Sequence, residues 1–383
     1  MVDVAGVGRR PLPIVGVSGM TTGAGVDACP GRALQHGRGQ LDGAPFKGEW
    51  GPILDLYECW STDDDLRHRG SSGGVTTALA AHAVGSGIAV GALQVQASAS
   101  DPLRNETVLN RTYRDITNAA GSRYAPASPC ERLDLVEAAE GPCVVVGKPC
   151  DIAATRRAAQ DRPALQGKIA VTLAIFCAGT PSTRATEKVI EKLGIDPGDV
   201  TSVNYRGEGW PGDFRVEATD GRQASMSYAE SWDGILTKNR QWRCLVCPDH
   251  TGEFADLSIG DPWYRTIRDG ERGRSLVVVR TELGRQLLES ALGGGALDGT
   301  RLPFERLPES QPSLASTRGA VWGRVLTLRI MALPAPRFRG IPAFRLWLRL
   351  PWRSKLTSTL GTARRARARG LRGPEFGLQE APE

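Results

Sequence analysis

Gly70-Ser71-Ser72-Gly73-Gly74-Val75-Thr76-Thr77-Ala78-Leu79-Ala80-Ala81-His82-Ala83-Val84, followed by Ile88-Ala89-Val90-Gly91-Ala92-Leu93-Gln94-Val95, decides the fold class. A run of small residues opens an apolar helix over Val75–Val84, and the β-branched run after it predicts a strand over Ile88–Val95. Such a turn can hold a phosphate, because small residues let backbone N–H groups approach an anion at a helix N-terminus. A plain glycine-rich helix entry is the ordinary alternative. Neither the dinucleotide fingerprint nor the Walker spacing is present.

Working outward, Cys143–Val146 and Ile169–Phe176 are short apolar runs beside turn signals, as in a buried parallel sheet. Ser182–Leu193 predicts a helix with Pro181 and Ser182 at its start. Residues 200–230 alternate as strands do, Ser275–Arg280 predicts another strand, and Glu282–Leu292 another helix. The expected architecture is α/β (mixed α+β): a mixed sheet flanked by helices. Residues 1–50 read as an irregular N-terminal segment, 51–140 and 141–320 as two parts of one domain, and 321–383 as a basic C-terminal extension.

Composition narrows the function classes. The 383 residues allow two or three domains, and 40% hydrophobic content suits a globular core. Net charge is only +6 and aromatic content 6%, which argues against nucleic acid as a partner. No run of 18 apolar residues exists and no secretory signal is evident, so a cytoplasmic location is the default expectation. There the eight cysteines are expected to be metal ligands or buried thiols rather than disulfides.

Four of them carry the chemistry. Cys150 follows Gly147-Lys148-Pro149, Cys177 follows Ile175-Phe176, and Cys244 and Cys247 form a CxxC pair. Four thiolates converging from three segments would make a tetrahedral sulfur site for an iron–sulfur cluster or zinc. A structural zinc site usually pairs two knuckles, or a knuckle with two histidines, so the dispersed cysteines favour the cluster. His250 reads as a surface histidine rather than a ligand, and Cys143 as a buried thiol. Cys29, Cys59 and Cys130 lack ligand spacing.

Lys148 reads either as an exposed loop lysine or as a cation that would stabilise an anionic reduced flavin. Ala255-Asp256-Leu257-Ser258-Ile259-Gly260-Asp261 reads as a strand end aimed at a cofactor, or as a turn with a capping Asp. Arg274 and Ser275 could add anion contacts.

In order, Arg67-x-x-Gly70-Ser71-Ser72-Gly73-Gly74-Val75, Gly121-Ser122-Arg123-Tyr124, Gly147-x-Pro149-Cys150, Phe176-Cys177, Asn204-Tyr205-Arg206, and Cys244-x-x-Cys247 with Ala255-Asp256-x-Ser258-x-Gly260-Asp261 resemble the coenzyme F420 hydrogenase/dehydrogenase beta subunit family. That family includes hydrogenase and formate dehydrogenase beta subunits and 7-hydroxymethyl chlorophyll a reductase. The resemblance spans about Asp55 to Leu292. It implies an FAD-binding core and a [4Fe–4S] cluster on Cys150, Cys177, Cys244 and Cys247. It also implies hydride exchange with coenzyme F420 or a related substrate. FAD contacts would come from Ser71, Ser72, Gly73, Gly74, Ser122, Arg123, Tyr124, Lys148, Arg206, Gly260 and Asp261, with Lys148 in the catalytic role. Many members begin with a ferredoxin-like module. Here only Cys29-Pro30 is a trace of one, so a separate ferredoxin or another redox subunit is the expected electron partner.

Two other readings stay open. One is a flavin reductase acting on a substrate other than F420. The other is a non-catalytic, metal-stapled adaptor or membrane-surface protein. Its anchor would be the acid-free stretch with Trp347, Leu348, Leu350 and Trp352 among Arg345, Arg349 and Arg353. A solvated tail is the plain alternative.

Overall fold

The computed structural model describes residues 2–4, 8–10, 19–36, 44–268 and 270–371. The main sheet takes β1 (Asp55–Ser61), β2 (Ala92–Ala97), β3 (Asn105–Asn110), β4 (Cys143–Gly147) and β5 (Ile169–Ile175) from the first half of the chain. After a separate meander of β6 (Val200–Asn204), β7 (Asp213–Ala218) and β8 (Gln223–Ser227), it is completed by β9 (Leu257–Gly260), β10 (Ser275–Val279) and β11 (Leu297–Arg301). The eight strands run in the order β11-β1-β10-β9-β5-β4-β2-β3. Strands β9, β5, β4 and β2 are parallel neighbours, and the outer pairs are antiparallel.

Both faces of the sheet are covered, which is why its strands read as unbroken apolar runs. Val144, Leu173, Leu257, Val277 and Val279 point into one core with Leu79 of α1 (Val75–Gly85) and Leu287 and Leu288 of the helix Glu282–Gly293. Their neighbours point the other way by the two-residue period of a strand. Val145 and Ala174 meet Ile152 of α2 (Pro149–Asp161), while Leu276 and Val278 meet Trp50, Leu307 and Leu314. The meander packs with α3 (Thr183–Lys192) around Phe214, Tyr205, Val189 and Ile190 as a satellite core. The mixed sheet flanked by helices matches the expected class.

Three expectations change. The strand predicted at Ile88 begins only at Ala92, because the chain leaves α1 through Gly87 at φ 77° and Ile88 and Val90 stay exposed. The N-terminal segment is not wholly irregular: Gly19–Ala28 is helical and packs on α2, tertiary contact overriding glycine's poor helix propensity. The rest of that segment's reading lies partly outside the described residues. The C-terminal extension is not a solvated tail through residue 371. A helix spanning Leu314–Ile330 crosses the expected boundary at 320 and carries two more, Ala343–Arg349 and Trp352–Ala368. Leu346 and Leu350 are buried, and Trp347 packs on Trp322 at 4.5 Å between ring centroids.

Candidate functional site

Three strand ends build the site. After β4 the chain turns at Lys148 into α2, with Pro149 in the first helical turn, where its missing N–H goes unneeded. The Asp151 carboxylate accepts from the Lys148 backbone N–H at 3.0 Å and holds its ammonium at 2.6 Å. Lys148 is therefore not the exposed loop residue of the plain reading. Burial alone would lower its pKa, but Asp151 and then Cys150 hold it above the ordinary lysine value.

Cys177 follows β5. Its backbone N–H donates to the His250 carbonyl at 2.9 Å, and His250 Nδ1 lies 2.8 Å from the Cys177 carbonyl. A carbonyl only accepts, so Nδ1 carries the proton and Nε2 of the neutral ring is left as an acceptor. His250 Nε2 is buried without a hydrogen-bond partner, contrary to the expected surface histidine. Cys244 lies on the helical turn Trp242–Leu245, and its Sγ accepts from the Thr180 N–H at 3.3 Å.

The fold brings the four singled-out thiols into one electrostatic neighbourhood. Burial, then Asp151, pushes Cys150 up to about 11, with Cys244 adding to the shift. Burial, then Cys244 and Cys150, pushes Cys177 up to about 12. Cys247 is raised by burial and then by Cys150. The Arg243 guanidinium is raised first by Cys150, with Cys29, Cys247 and Cys244 contributing. The thiols do not close into a ligand set. Among the described residues, no group of three or more His, Cys, Asp or Glu is arranged to hold a metal ion.

Beside the thiols lies a cleft of about 710 Å³, within the range of small-molecule and cofactor sites. It opens at the carboxyl ends of β4, β5 and β9, the usual ligand position in a sheet with parallel strands. Ser71, Ser72, Gly74, Ser122, Arg123, Tyr124, Lys148, Cys177, Arg206, Gly260 and Asp261 all line it.

Several of these have other work. Gly73 donates its amide to Ser275 Oγ at 3.0 Å, and Ser72 Oγ pairs with the same hydroxyl at 2.8 Å. The expected phosphate cradle is thus partly closed by Ser275, and Ser71 Oγ is left buried with no partner. Gly74 stands at φ 71°, and a Cβ there would meet the Leu66 carbonyl oxygen at 2.9 Å, so only glycine suits the turn. The Arg123 guanidinium donates to Asn105 Oδ1 and to the carbonyls of Val203, Pro102 and Arg104. It braces the loop rather than presenting a free cation. Asp261 takes a bidentate pair from Arg206 at 2.7 and 2.8 Å and a third bond from Trp210 Nε1 at 3.2 Å. Its carboxylate is neutralised inside the wall. Gly260 leaves room for the Phe176 ring.

Sequence reasoning missed the aromatic wall. Tyr228 stacks with Trp232 at 6.3 Å and with Trp263 at 6.2 Å, and the Arg206 guanidinium lies 4.6 Å from the Tyr228 ring. The clustering of Tyr228, Trp232 and Trp263 near Asp261, in a chain poor in aromatics, was the available signal.

A doubly covered mixed sheet, a cleft of small-molecule size at its strand ends and half-buried cysteines beside that cleft define an α/β scaffold. The chain belongs to the coenzyme F420 hydrogenase/dehydrogenase beta subunit family. Residues 56–133 match the model of the beta subunit N-terminal part and residues 142–302 that of its C terminus. The coenzyme F420 hydrogenase subunit beta of Methanothermobacter thermautotrophicus is 24% identical over 256 residues, 65% of this chain and 84% of that protein. An uncharacterised protein of Methanocaldococcus jannaschii is 26% identical over 231 residues, 58% of this chain; the match spans only 60% of that relative's length. In the solved F420-reducing [NiFe] hydrogenase complex of Methanosarcina barkeri, one chain shares the fold with a TM-score of 0.57 at 22% identity, covering 74% of this chain and 96% of that one.

Proposed function

We propose that this chain is an iron–sulfur flavoprotein oxidoreductase subunit, with FAD in the cleft, a [4Fe–4S] cluster on Cys150, Cys177, Cys244 and Cys247, and coenzyme F420 as hydride partner. The observation that carries this reading is the position of Lys148 and Cys177. Both line the cleft, and both belong to the thiol neighbourhood. Bound FAD supplies chemistry that couples two-electron hydride exchange to one-electron traffic with an iron–sulfur cluster. The chain's own residues place and shelter it. Lys148, fixed by Asp151, keeps positive charge at the cleft wall, Tyr228 and Trp263 give an apolar side, and the covered sheet excludes water. Ser71 Oγ, buried and unpartnered, fits a ligand hydroxyl or phosphate oxygen. The donor chemistry suits a cluster: four half-buried cysteines in one neighbourhood would bind metal as thiolates, whose mutual repulsion the metal charge offsets. Kinship with a hydrogenase beta subunit supports a ferredoxin or another redox subunit as electron partner.

The test is a flavin, iron, sulfide and zinc inventory of anaerobically purified protein, followed by F420 reduction followed by absorbance. Flavin and iron together support the assignment; stoichiometric zinc without flavin rejects it. Ser71→Ala is expected to weaken flavin binding roughly fivefold while leaving the melting temperature unchanged, since one hydrogen bond is worth about 1 kcal/mol. Fluorescence titration of deflavinated protein reads the change, and an unaltered affinity would place the flavin away from Ser71.

The membrane-surface reading retains support only at the C-terminal helices. Among the described residues no helix is long and apolar enough to cross a membrane.

A further inference from the structure

The last helix, Trp352–Ala368, has two faces with opposite fates. Ser358, Thr362 and Ala366, spaced four residues apart, are buried. They pack toward the helix Leu314–Ile330, where Gly323 leaves room for the Ser358 hydroxyl and Trp347 Nε1 donates to that hydroxyl at 3.3 Å. Trp352, Leu356 and Leu360 have the same spacing, so they form a second stripe on another side of the helix. They are 66%, 47% and 67% exposed. Arg353, Arg364 and Arg367, all exposed, border that stripe. The neighbouring helix Ala343–Arg349 repeats the pattern: Ala343 and Leu346 are buried, while Phe344 and Leu348 are exposed beside the exposed Arg345 and Arg349. This replaces the patch expected from sequence, since Trp347 and Leu350 turn inward.

Charge identifies the occupant. From Arg324 to Arg372 there is no Asp or Glu, while thirteen Arg and Lys occur. An acid-free stripe of Trp and Leu edged by arginines fits an anionic lipid interface. There the apolar side chains enter the acyl boundary and the guanidinium groups reach back to headgroup phosphates. We propose that the helices Ala343–Arg349 and Trp352–Ala368 form a peripheral docking surface for an anionic bilayer. They hold the redox domain against the membrane without spanning it.

Co-sedimentation of the full chain with phosphatidylcholine vesicles, with and without phosphatidylglycerol, tests this. Binding is expected only with phosphatidylglycerol, and high salt should reverse it. Reversing Arg353, Arg364 and Arg367 to Glu together should lower partitioning roughly a hundredfold, given the contribution of each basic residue near an anionic surface. Replacing Trp352, Leu356 and Leu360 by Ser should abolish it. Circular dichroism confirms that both variants are folded. Independently of those variants, brominated lipid tails should quench Trp352 in the parent, with Trp352→Phe as the blank. Absence of pelleting with phosphatidylglycerol, equal binding to both vesicle types, or no quenching of Trp352 overturns the proposal. So does tighter binding of a DNA duplex than of vesicles at the same ionic strength, which would assign the basic surface to nucleic acid.

Discussion

Alanine at Cys150, Cys177, Cys244 or Cys247 should strip nearly all iron and acid-labile sulfide from anaerobically reconstituted protein, whereas alanine at Cys59 or Cys143 should leave both unchanged. Burial does not mark the quartet: Cys59 and Cys143 are buried, whereas Cys150, Cys177, Cys244 and Cys247 are half-buried. Cys59 is pushed up to about 12 by burial and then by Glu58 and Asp298, with no other thiol contributing. Cys143 is raised by burial alone and faces the cations Arg111 and Lys168. Each member of the quartet for which a shift is resolved instead feels at least one other member. A multinuclear cluster would replace that mutual repulsion with metal–thiolate bonds. Losing one ligand of a four-thiolate cluster usually leaves an exposed iron that is lost on handling, so the effect should be close to all or none. Flavin content is the control. The Cys150, Cys244 and Cys247 variants should keep it, because those side chains do not line the cleft. Parent-level iron in any one of the four variants would remove that cysteine from the ligand set.

The placement of Cys150 and Cys177 just past strand ends was legible, because chain direction at a strand end is a local property. The parallel core was legible for the same reason: a strand buried on both faces carries a continuous apolar run. Side-chain partnership was not. Arg206 and Asp261 are 55 residues apart, and Arg123 meets carbonyls on two other segments. Motif spacing predicts these groups near a cofactor, but only the packed structure reveals that their charges are already satisfied. His250 failed for a related reason. A single histidine in a polar loop carries no periodicity, and its burial comes from the β5 end folding over it. The C-terminal helices were obscured by prolines at 336, 342 and 351, which punctuate them rather than abolish them.

Glu253→Gln should lower stability by about 3–5 kcal/mol at neutral pH, the scale for removing one partner of a buried ion pair. Glu253 is almost wholly enclosed, as is its partner Arg318, which also donates to the Glu49 carbonyl. His36 Nε2 lies 2.6 Å from the other carboxylate oxygen, and its ring stacks on Phe254 at 4.5 Å. One carboxylate thereby ties the N-terminal segment and the helix Leu314–Ile330 to the loop after the CxxC pair. Glutamine keeps the shape and one acceptor but strands the Arg318 charge in a dry site. Burial by itself would raise the Glu253 pKa, yet Arg318 and then His36 bring it down to about 2. A folded pKa below the unfolded value means stabilisation that is complete above the unfolded pKa and disappears as pH falls toward 2, about 3 kcal/mol in all. Asp249 acts with the opposite sign. Burial and then Glu253 push it up to about 6, so its protonation below that value favours the folded state. Denaturant melts should therefore show stability holding or rising as pH drops from 6 toward the ordinary carboxylate range, then collapsing. In Glu253→Gln the acid collapse should be blunted by the missing 3 kcal/mol. An identical acid limb in parent and variant would mean that Glu253 is not ionised in the folded chain.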